Sequence, residues 1–240
     1  MRVLKIETIT EKTEKKLGEL FWEIFKKTDK ENTNPFVVNS IDSLLTKICV
    51  SNNIERSQYQ IHVLNKDEIN AFALPGKRLV IYSGLILAAE NQEELSGVIS
   101  HELAHIELNH VMKKLMKEVG LSVLISMTTG GSGADAIREA AKLLSSTAFD
   151  RNMEKEADLK AVEYLVNASI APEPFANFMQ KLSEKERELM KRLSWISTHP
   201  KSEERAKYII EHVEGFTQAR QAEHVISQAT WEALMEGLKE

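Results

Sequence analysis

The 240-residue sequence predicts an α+β fold: a mostly helical body carrying a small, largely antiparallel β-sheet. Three observations predict it. Apolar residues recur at helical spacing before residue 52 and again after Gly84, whereas between Tyr59 and Tyr82 the period falls to two. Asn32-Thr33-Asn34-Pro35 and Pro75-Gly76-Lys77 supply turns. No Pro-, Gly- or Ser-rich segment is long enough for a linker, so residues 1–240 read as a single domain.

Leu17, Leu20, Phe21, Ile24 and Phe25 place a helix over about Lys12–Lys27, and a second helix runs through Val50, giving a helical N-terminal part, 10–52. Tyr59–Leu64 alternates as a half-buried strand does, and Ala71–Leu74 and Arg78–Tyr82 flank Pro75-Gly76-Lys77 as a hairpin. From Gly84 the chain reads as helix, with breaks near Gly130–Gly133, at Ala171-Pro172, at Thr198-His199-Pro200 and at Gly215-Phe216. The motif-bearing core covers about 60–210, and a C-terminal helix about 217–238. The uncharged stretch Val119–Ala134 falls short of the roughly 18 apolar residues that span a bilayer. It reads as a buried helix end followed by a loop.

A net charge of -5 gives no electrostatic case for nucleic acid. Peripheral membrane association stays a minor alternative that nothing in the sequence indicates. Cys49 is the only cysteine, which excludes an intrachain disulfide and a cysteine-based zinc site; its apolar surroundings suit a buried small hydrophobe. The charged N-terminus carries no visible signal peptide, and the compartment stays open.

The chemistry concentrates in His101-Glu102-Leu103-Ala104-His105. On a helix, residues four apart share a face with Cβ atoms about 5–6 Å apart. Two imidazoles so placed reach one Zn²⁺ while the backbone stays regular. Glu102 flanks the metal and is poised to take a proton from water activated there. At about 100° per residue, Leu95, Ile99, Leu103 and Ile106 form a core stripe and the two histidines face a cleft.

Tetrahedral zinc that keeps a position for water needs a third protein ligand. HExxHxxGxxH proteases need Gly at 108 and His at 111; this chain has Leu108 and Val111, with His110 one position out. A deformylase-like cysteine ligand would have to be Cys49, in an apolar helix. A carboxylate remains. Glu154 and Asp158 lie four apart on a helical segment whose face continues into Ala161 and Leu165. Glu154 is placed to ligate and Asp158 to accept a proton from the far nitrogen of a zinc-bound histidine, while Glu156 points away.

Four segments resemble the zinc metallopeptidase family of the CAAX prenyl proteases and HtpX-like heat-shock proteases, within the gluzincins. They are Asn70-Ala71-Phe72-Ala73-Leu74-Pro75-Gly76 with Val80–Leu85, then His101–His105, then Arg151-x-x-Glu154-x-x-Ala157-Asp158, and last Ser197-Thr198-His199-Pro200 followed by Arg205. The resemblance implies a soluble, single-domain member with a zincin-like body. It implies one Zn²⁺ per chain on His101, His105 and Glu154, with Glu102 as catalytic acid and base. Many such members are periplasmic or lipid-anchored, which favours an extracytoplasmic site over the cytoplasm.

The expected activity is hydrolysis of peptide bonds in protein or peptide substrates, as an endopeptidase in protein quality control. His199 is the expected oxyanion donor; related proteins suggest instead that it fills the open zinc position and holds the enzyme latent. Arg205 is expected to meet Asp158 or the oxyanion, or else solvent. The strand Asn70-Ala71-Phe72-Ala73 is the expected substrate edge, with Phe72 in the core as the plainer alternative. The rival classes are a zinc-binding chaperone-like or latent homologue with little turnover, and a non-peptidase zinc hydrolase.

Overall fold

The computed structural model describes residues 10–184, 195, 198–200, 202–214 and 223–238. Helix α1 (Glu11–Thr28) starts where the Thr10 hydroxyl accepts from the Thr13 N–H, with Glu11 and Glu14 in its first turn and Lys26 and Lys27 in its last. Helix α2 (Pro35–Ser51) is capped by Asn34 and opens on Pro35, whose missing N–H costs nothing there. Leu17, Phe21 and Phe25 of α1 and Ile41, Leu44, Leu45 and Ile48 of α2 enter the core. Cys49 is buried with them, and burial pushes its thiol up to about 11.

The sheet holds β1 (Gln60–Leu64), β2 (Ala71–Leu74) and β3 (Arg78–Tyr82) in the order β1-β3-β2. The expected hairpin forms between β2 and β3, with Phe72 opposite Val80. β1 pairs with β3 in parallel, Val63 opposite Ile81, so the sheet is mixed. The segment between β1 and β2 carries the chain past β3 before it returns, which leaves β3 central and buried along its length.

Helices follow: α3 (Ser83–Ala88), α4 (Gln92–Glu107), α5 (His110–Glu118), α6 (Leu121–Thr129), α7 (Ala134–Ser146), α8 (Arg151–Asn167), α9 (Glu173–Glu184), α10 (Ser202–Glu214) and α11 (Gln228–Gly237). The uncharged stretch is thus a separate helix, α6, set off by Gly120 (φ 90°) and closed by Gly130 (φ 82°), with Val123 and Ile125 exposed rather than buried. The C-terminal helix begins only at Gln228, where Ser227 caps it; residues 217–222 of the expected helix, with Gly215-Phe216, lie outside the described residues. Ser197 does too.

Helix α4 is the centre of the molecule. Asn91 caps it by accepting from the Glu94 N–H, and every residue from Gln92 to Ile106 is buried. The reading of one core stripe and one open face therefore needs correction. Helices α2, α8 and α9 and strand β2 all pack on α4, and such long-range neighbours leave no trace in its own periodicity. Gly97 makes the α9 contact possible, because a Cβ there would sit 2.4 Å from the Phe175 Cβ. Replacing Gly97 with alanine should therefore lower stability by about 1–3 kcal/mol in urea unfolding. An unchanged midpoint would show that α9 yields freely.

Candidate metal centre

The turn of α4 sets His101 edge-to-face with His105, ring centroids 4.6 Å apart and Nε2 atoms 3.0 Å apart. Helix α8, capped by the Asp150 side chain on the Met153 N–H, crosses α4 and aims its first turn at that pair. Glu154 Oε1 lies 3.4 Å from His105 Nε2, and Oε2 3.7 Å from His101 Nε2. His199 Nδ1 is 3.2 Å from His101 Nε2 and 2.9 Å from Glu154 Oε1. One ligand atom from each of these four buried residues lies within 4.8 Å of all the others.

The donor set fits a divalent cation that prefers nitrogen and oxygen. His101 Nδ1 stands 2.9 Å from the Asp158 carboxylate, to which it donates. Its Nε2 then turns a lone pair toward two further ring nitrogens and a carboxylate, an arrangement that a shared cation satisfies. His101, His105 and Glu154 would hold such an ion, and His199 stands where a fourth donor would.

Charge is balanced from behind. Arg205 of α10 donates to both Asp158 oxygens, from Nε at 2.8 Å and Nη2 at 2.7 Å. Its Nη1 reaches the His199 carbonyl at 2.9 Å and Glu154 Oε2 at 2.8 Å. Of the partners expected for Arg205, Asp158 is the one it meets, away from solvent; the Tyr208 hydroxyl donates to Asp158 as well. Burial alone would raise the Asp158 carboxyl, yet the Arg205 and His101 contacts hold it down to about 2. Glu154 is likewise held well below the carboxylate range, the charges of His199 and Arg205 outweighing burial. Burial keeps the His105 imidazole far below its ordinary value and hence neutral, the form that binds metals.

Glu102 sits beside the cluster. Its Oε1 accepts from Trp195 Nε1 at 3.2 Å and lies 3.3 Å from His199 Nε2; Oε2 is buried with no hydrogen-bond partner among the described residues. The Trp195 N–H donates to the Ile69 carbonyl at 3.0 Å, and the Phe149 N–H to the Thr198 carbonyl at 3.2 Å. Trp195, Thr198 and His199 thus lie between the start of β2 and the histidine face of α4. Strand β2 is an edge strand, as expected, but not an open one. Ala71, Phe72, Ala73 and Leu74 are buried, α7 packs against the strand, and the Asn70 amide donates to the Ser145 carbonyl at 3.2 Å. Phe72 lies in the core between Phe25 and Tyr82.

Sequence reasoning missed several neighbours. Phe149 stacks on His105 with centroids 4.0 Å apart. His110, dismissed for its spacing, is buried with Nδ1 3.0 Å from His105 Nδ1 and Nε2 3.1 Å from Glu156 Oε2. Lys114 lies one turn beyond His110, its ammonium 4.1 Å from the Phe149 ring and donating to the Thr147 carbonyl. Spacing gave no signal for His110: five residues past His105 it would leave that face of a continuous helix, and the bend at Asn109 is what returns it.

The model of peptidase family M48 matches residues 37–213, most of the chain. The chain belongs to peptidase family M48. M48 relatives include the beta-barrel assembly-enhancing protease of Yersinia pestis, 27% identical over 70% of this chain and 37% of its own length. The mitochondrial metalloendopeptidase OMA1 of Schizosaccharomyces pombe is 25% identical over 71% of this chain and 51% of its own. The metalloprotease LoiP of Escherichia coli K12 is 28% identical over 67% and 65%. The chain thus spans less than two thirds of each. No helix among the described residues is long and apolar enough to cross a membrane.

Burial lowers the Lys114 ammonium to about 8 against an ordinary 10.5. Between those values the unfolded chain binds more protons than the folded one, so stability rises with pH over that window. At pH 7 the buried charge costs on the order of 3 kcal/mol. Lys114→Met should therefore be more stable than wild type at pH 7, and the gap should narrow from about pH 8 to 10.5. Parallel chemical unfolding curves test this; a gap constant with pH contradicts it.

Proposed function

We propose that this M48 chain is a zinc-dependent endopeptidase that cleaves protein substrates in protein quality control. One observation carries the reading: the ligand atoms of His101, His105 and Glu154 converge beside the Glu102 carboxylate. A zinc ion held by these three residues would supply Lewis acidity toward a carbonyl and toward water. Glu102 takes the proton from the attacking water on Oε2, which has no hydrogen-bond partner among the described residues, and returns it to the leaving amine. Arg205 and Asp158 hold His101 in the tautomer that frees Nε2. An extended peptide pairs with the β2 edge. An extracytoplasmic compartment follows from the resemblance to soluble, single-domain members.

The arrangement also favours a latent resting state. His199 lies among the ligand atoms rather than opposite them, Trp195 and His199 both cover Glu102, and α7 covers β2. In this state Trp195 and His199 must move aside before substrate enters. A binding protein that merely retains zinc has no use for a buried carboxylate at Glu102.

Casein digestion with and without chelator tests the activity. Glu102→Gln should abolish cleavage, by at least about 100-fold, while zinc content stays near one equivalent. His199→Ala should raise cleavage if His199 is a latch; a fall of about 100-fold or more would instead make it an oxyanion donor.

A further inference from the structure

The two imidazoles of α4 are held differently. His101 donates from Nδ1 to Asp158, whereas Nδ1 of His105 faces no carboxylate among the described residues; it faces Nδ1 of His110 at 3.0 Å. Asn109 stands in the left-handed region at φ 57°, and this bend between α4 and α5 folds His110 back onto the ring five residues earlier. On the far side, His110 Nε2 lies 3.1 Å from Glu156 Oε2. Phe149 stacks on the His105 ring, so its rotation is restrained by packing as well.

We propose that His110 is a positioning residue for His105, with Glu156 as its anchor. The direction of the chain follows from the donors. A carboxylate only accepts, so the neutral His110 ring carries its proton on Nε2 and gives it to Glu156. Nδ1 of His110 then bears a lone pair and accepts from the Nδ1–H of His105. The remaining nitrogen of His105, Nε2, keeps its lone pair toward His101 and Glu154. Helix α8 thereby serves both ends of the site: Glu154 points inward as a ligand, and Glu156, two residues on, points away and fixes His105 through His110. The exposure of Glu156 is compatible with this role, since its task is to set a tautomer rather than to hold a charge in the core.

The inference rests on His105 being a metal ligand, and the experiment separates the two. Zinc affinity of apo wild type and variants is measured by competition with a chromophoric chelator. His110→Leu removes the acceptor and should weaken zinc binding about 10- to 100-fold. His110→Gln should stay within about three-fold of wild type, since its carbonyl accepts from His105 and its amide donates to Glu156. A merely structural role would not distinguish these two variants in zinc affinity. Should His110→Leu fail to fold, Glu156→Leu, altered at an exposed position, should still weaken zinc binding by several-fold. Wild-type affinity in His110→Leu, or in Glu156→Leu where that variant replaces it, overturns the inference alone. A wild-type protein that takes up no zinc overturns it together with the ligand assignment.

Discussion

The crossing of α4 and α8 is the constraint on which the rest depends. It brings Glu102, Glu154 and Asp158 together in a space sealed from water, and carboxyl groups so enclosed are tolerated only with partners. Arg205 supplies the partner from α10 and engages Asp158, Glu154 and the His199 carbonyl at once. One guanidinium therefore couples the docking of α10, the orientation of His101 and the position of His199. Two carboxyl groups share that guanidinium and Glu102 lies beside them, a surplus of negative charge that leaves room for a divalent cation.

The same enclosure explains why a site with hydrolytic residues has no open face. Trp195 and His199 stand over Glu102, and α7 packs against the strand that a peptide would join. A substrate with the chemistry proposed here must displace protein before it meets the catalytic carboxylate.

Much of this was legible in the sequence wherever it depended on one helix or one turn. The four-residue spacing of His101 and His105, and of Glu154 and Asp158, fixes which side chains share a face. Pro75-Gly76-Lys77 marks the hairpin by turn chemistry. What depended on distant neighbours was not legible. Alternation in β1 reveals a strand but not a parallel partner, and the apolar stripe of α4 gives no warning that α8 and α9 bury its other side. His110 was dismissed by counting along a motif, because its reach to His105 needs the left-handed bend at Asn109. The covering of β2 by α7 is likewise a tertiary fact.

The most direct test is an anomalous difference map from crystals of the zinc-loaded protein, collected at the zinc absorption edge. The account predicts one peak per chain within bonding distance of His101 Nε2, His105 Nε2 and the Glu154 carboxylate. A peak elsewhere, or one at the two histidines with Glu154 turned away and another group bonded in its place, would contradict it.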